Sequence, residues 1–99
     1  MAKSARITRK IAEDLAIQAL GFMAGDPERL GAFLAATGIG PEMIRQAAAD
    51  PAFLAGVLDH VAADEPLLIA VAEHAGVAPQ DIEHAQAVLS GRPSQREVP

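Results

Sequence analysis

Apolar residues recur along this 99-residue chain in short blocks at i, i+3 and i+4, separated by Asp, Gly and Pro, which is the spacing of amphipathic helices. The first block mixes Ile11, Leu15, Ile17 or Gln18, Phe22 and Met23 with Ala12, Ala16 and Ala19. It predicts a helix capped by Thr8 or Ser4, running to about Ala24 and closed by Gly25. Asp26-Pro27-Glu28 opens a second helix to about Thr37, because the Asp carboxylate can accept a backbone N–H while Pro occupies the first turn. Leu30, Phe33 and Leu34 form its inner face and Gly38 ends it. Pro41 then starts a short third helix with Met43, Ile44 and Ala47 turned inward.

Asp50-Pro51 repeats the capping device. The fourth helix that follows carries a wide stripe of Phe53, Leu54, Val57, Leu58 and Val61, and is the best candidate for a central buried element. Asp64-Glu65-Pro66 opens a fifth, whose run Leu67, Leu68, Ile69 and Val71 must be covered on most sides. A sixth, with Ile82, Ala85, Val88 and Leu89, extends to Ser90 and stops at Gly91. The expectation is an all-α bundle of five or six short helices at residues 8–91, between a flexible basic N-terminus, 1–7, and a disordered tail, 92–99.

Two stretches stand out as corners. Gly38-Ile39-Gly40-Pro41-Glu42-Met43-Ile44-Arg45-Gln46-Ala47 is echoed 38 residues later by Gly76-Val77-Ala78-Pro79-Gln80-Asp81-Ile82-Glu83-His84-Ala85. In each, a glycine stops a helix, one apolar residue turns inward at the corner and a proline opens the next helix. At the same offset Leu20 pairs with Leu58, Asp26 with Asp64, Leu30 with Leu68, Pro41 with Pro79 and Ile44 with Ile82. One reading is two pseudo-symmetric three-helix units, with 14–49 and 52–87 as the repeats. The alternative is capping grammar recurring by chance in an alanine-rich chain.

Composition narrows the function classes. At 51% hydrophobic residues and a mean hydropathy of +0.19 the chain should fold as one globular domain, yet no apolar run approaches the roughly 20 residues that span a bilayer. With no cysteine there is neither a disulfide framework nor a thiolate site, and no cleavable leader follows Lys3, Arg6, Arg9 and Lys10, so a cytoplasmic location is expected. The net charge of −5 repels phosphate over most of the surface. Three Phe and no Trp or Tyr leave a core of aliphatic side chains and few base-stacking groups.

The segments Gly25-Asp26-Pro27-Glu28-Arg29-Leu30, Asp50-Pro51-Ala52-Phe53-Leu54-Ala55-Gly56-Val57-Leu58 and Asp64-Glu65-Pro66-Leu67-Leu68 resemble, in order and spacing, the small bacterial family called domain of unknown function 3572. The similarity runs from about Leu15 to Leu89. It implies a small cytoplasmic protein found mainly in alphaproteobacteria, and transfers no functional residues because the family has no established activity.

Candidate chemistry is sparse. Leu34-Ala35-Ala36-Thr37-Gly38-Ile39-Gly40-Pro41 looks like a helix-hairpin-helix turn, which offers backbone N–H groups to a nucleic-acid phosphate. Glu42 after the proline works against this, and Arg45 is the only cation nearby. Clustering of Arg6, Arg9, Lys10 and Arg45 on one face would support it. His60 and Asp64 stand at i, i+4 with Asp59 adjacent, and Glu73-His74 and Glu83-His84 follow. Asp64 is better read as a helix cap, and a single His per helix has little specificity, so no catalytic, metal or cofactor residues are assigned. The apolar excess is more suggestive, since a surplus that one small core cannot hide would bury itself against another protein or a second copy. The expected function is a non-catalytic protein–protein interaction or self-associating module, with nucleic-acid binding through Gly38–Arg45 as the alternative.

Overall fold

The structure, a computed structural model, describes residues 7–91. The expectations for 1–6 and 92–99 lie outside the described residues. Six α-helices follow one another: α1 (Arg9–Ala24), α2 (Pro27–Thr37), α3 (Ile44–Ala47), α4 (Pro51–Ala62), α5 (Glu65–Ala75) and α6 (Pro79–Ser90). A single turn of 3-10 helix, Pro41–Met43, leads into α3, and there is no strand among the described residues. The protein is an all-α bundle.

Local chemistry accounts for the boundaries. Thr8 accepts the Ile11 N–H through its hydroxyl, and Asp26, Asp50 and Asp64 accept N–H groups of Glu28 and Arg29, of Ala52 and of Leu67. Each carboxylate satisfies donors that the first turn leaves orphaned, worth about 1 kcal/mol per cap. Asp26 and Asp50 also precede a proline, whose ring excludes helical backbone from the residue before it. At the far ends, Gly38 and Gly76 adopt left-handed φ of 75° and 74°, where an added Cβ would be strained. Gly25 closes α1 differently, with a right-handed φ of −82°.

Packing divides the helices into a core and an appendage. α1, α4 and α6 pack on one another, and α5 packs against all three. Leu54, Val57, Leu58 and Val61 of α4 are buried among Ala12, Leu15, Ala16, Ala19, Leu20 and Met23 of α1, so α4 is the central helix its stripe predicts. Alanines on α1 let helix axes approach closely. Asp59 and Gln86 add a hydrogen bond of 2.8 Å between α4 and α6. By contrast, α2 rests mainly on α1 and sends one fully buried residue inward. That residue, Phe33, meets the Phe53 ring edge-on at 5.8 Å and the His60 ring at 5.2 Å.

Several apolar side chains sit elsewhere than the periodicity predicts. Ile7, grouped with the flexible N-terminus, is only 8% exposed and joins the core. Ile11, Ile17 and Ile69 are exposed, on faces of α1 and α5 that no helix among the described residues covers. Met43, expected to point inward, is 45% exposed, and Ile39 is only half-buried at its corner.

The candidate repeats agree at their helix ends. Adding 38 to Ala24, Pro27, Thr37 and Pro41 gives Ala62, Glu65, Ala75 and Pro79, which are the corresponding bounds of α4, α5 and α6. Backbone angles agree as well: Asp26 and Asp64 have φ/ψ of −130°/105° and −124°/101°, and Gly40 and Ala78 have −76°/151° and −81°/153°.

Candidate functional site

The first corner is where the two candidate repeats differ. In the second, α6 carries Ile82, Ala85 and Leu89 into full burial against α1 and α4. In the first, none of the residues from Pro41 to Ala47 is buried. Ile44 and Ala48 only touch the edge of the core. One difference between the corners lies at the position equivalent to Asp81. Asp81 accepts the Ala78 N–H at 3.1 Å through its carboxylate, the acidic half of a capping box at the start of α6. Met43 takes that place in the first unit, so the cap is lost and an apolar side chain stands in solvent instead.

Other groups complete the first corner. Thr37 Oγ1 donates to the Phe33 carbonyl at 3.0 Å and accepts the Ile39 N–H at 3.4 Å. The Gly38 N–H donates to the Leu34 carbonyl, the Met43 N–H to Gly40 and the Ile44 N–H to Pro41. Glu42 folds its carboxylate back over Gly40, where a Cβ would lie 2.7 Å from Oε2. The corner's backbone donors are therefore largely committed within the chain, and a carboxylate lies over the glycine turn. Both features oppose phosphate at the helix-hairpin-helix-like turn.

Outside these bonds the corner is open, with apolar side chains between two exposed charges. Pro41, Glu42, Ile44 and Arg45 line a shallow hollow beside Met43. Leu30, Leu34 and Ile39 are half-buried on the approach, and the outer face of α2 is Gly31, Ala32, Ala35 and Ala36, with no charged residue from Gly31 to Pro41. Glu42 and Arg45 are exposed and form no ion pair among the described residues. Signs of this surface were present in the sequence, since Met43 opposite Asp81 is an apolar residue at a position whose echo is a capping carboxylate.

The histidine readings dissolve into separate places. His60 is half-buried against Phe33, and Asp64 is spent on the Leu67 N–H. These two share a crevice with Glu28, Arg29, Ala32 and Leu67, but Arg29 is held by Asp26 at 3.2 Å and lies 5.8 Å over the Phe22 ring. The His74 ring lies 5.1 Å from the same Phe22 ring, and His74, Glu73, Glu83 and His84 are all exposed. No group of three His, Cys, Asp or Glu is placed to hold a metal among the described residues. Arg9 reaches toward Glu13 on its own helix at 3.9 Å, and Arg6 lies outside the described residues. No helix among the described residues is long and apolar enough to cross a membrane.

Comparison with curated proteins and with solved structures returned no match. The model of one family, described as Protein of unknown function (DUF3572), matches residues 9–92, which span all six helices and both corners, and the chain belongs to that family.

Proposed function

We propose that this protein is a non-catalytic docking module that binds other protein through the corner formed by the end of α2, the 3-10 turn and α3. The observation that carries the reading is Met43. A residue that gives up a capping carboxylate and stands 45% exposed costs the monomer about 1 kcal/mol in forgone burial and capping. Such a cost is recovered when the side chain is buried against a partner, where flexible Met side chains adapt to irregular surfaces. The half-buried Leu30, Leu34, Ile39 and Ile44 extend the same apolar area.

Nucleic-acid binding at this corner is the weaker reading, because Glu42 lies over Gly40 and Arg45 is the only cation from Leu30 to Asp50. A cytoplasmic setting fits the absence of cysteine.

The test is a photo-crosslinking residue placed at position 43 in the living cell, with the same residue at Glu83 on the exposed side of α6 as the control. The reading predicts protein adducts at 43 and none at 83. No adduct at 43, or equal adducts at both, contradicts it.

A further inference from the structure

We infer that the occupant of the Met43 corner is a second copy of this chain, joined about a twofold axis. This rests on the docking reading and adds the identity of the partner. A twofold interface brings one patch against itself, so the patch must carry both halves of every complementary pair. The corner does so in shape, with Met43 as a protruding side chain beside a hollow lined by Pro41, Glu42, Ile44 and Arg45. In a twofold pair each Met43 enters the hollow of the other copy.

The corner is self-complementary in charge as well. Glu42 and Arg45 flank the apolar Met43 and Ile44, one of each sign, and neither is paired among the described residues. Across a twofold axis each Glu42 faces the Arg45 of the other copy, giving two ion pairs at the rim of an apolar centre. A foreign acidic or basic partner would satisfy only one of the two charges. The second corner supplies the internal precedent: its helix, α6, is covered by α1, α4 and α5, whereas α3 has no such cover among the described residues.

Sedimentation equilibrium of the full chain, from dilute to concentrated solution, tests the inference. The wild type should pass from the 10.3 kDa protomer to twice that mass. Met43→Asp, which copies the sister corner, should remain a protomer throughout with its helical circular dichroism unchanged. Glu42→Arg and Arg45→Glu should each weaken the dimer by about tenfold or more, and the double variant E42R/R45E should recover most of the loss. A wild type that stays at protomer mass overturns the inference, and so does a dimer indifferent to these variants. Protomer mass combined with adducts to a different protein at position 43 overturns the second copy and leaves docking standing. Protomer mass with no adduct overturns both.

Discussion

At Gly76 a helix ends, the chain turns through Val77 and restarts at Pro79 to run twelve residues across α1 and α4. At Gly38 the same turn restarts at Pro41, but a three-residue 3-10 turn and the four-residue α3 are all that follow. Asp50-Pro51 sets the difference, standing where the second unit has Val88-Leu89. Pro51 bars its predecessor from helical backbone and begins α4, whereas Leu89 continues α6 and buries all but 7% of its surface. Two corners with matching glycine and proline geometry therefore become different things. One is core, and the other is a surface with its apolar side chains unspent.

The contrast can be broken by substitution. Phe33→Ala should have the largest effect, about 4 kcal/mol of lost unfolding free energy in denaturant titration, because this ring alone ties α2 into the core at full burial. Ile82→Ala should cost about 3 kcal/mol and its counterpart Ile44→Ala about 1 kcal/mol, since the first side chain is fully buried and the second is not. Equal losses at 44 and 82 would erase the distinction between the corners. Gly38→Ala and Gly76→Ala should each cost about 1 kcal/mol, measured the same way. Both sites have positive φ and open space around the added methyl, so the penalty is purely one of backbone conformation. Met43→Asp should be the smallest change and of opposite sign, raising the thermal midpoint of the protomer by up to about 4 °C as the missing cap is supplied.

Sequence made the helix ends legible because caps act locally. Thr8, Asp26, Asp50 and Asp64 bind N–H groups within three residues of themselves, so their meaning survives without knowledge of the fold. Which apolar face finds a neighbour is a property of the assembled bundle. Ile17, Ile69 and Met43 share the helical spacing of their buried neighbours, yet they stay exposed among the described residues. Ile7 shows the converse: it precedes the first cap, and burial is decided by the helices that close over it. The corner stands out in the sequence as a helix-hairpin-helix-like turn, but its exposed apolar side chain shows there only as a discrepancy, Met43 against Asp81, which acquires meaning once α6 is seen covered and α3 is not.

The most direct test of the contrast is amide hydrogen exchange of the wild-type chain at low and high protein concentration. At low concentration, the amides of Ile44–Ala47 should exchange by local opening, while those of the inner turns of α6 should require global unfolding. At high concentration, protection should rise at residues 41–48 and stay constant through α6. Protection at 41–48 that matches α6 when dilute, or that fails to respond to concentration, would contradict the account of an unspent corner closed by a second copy.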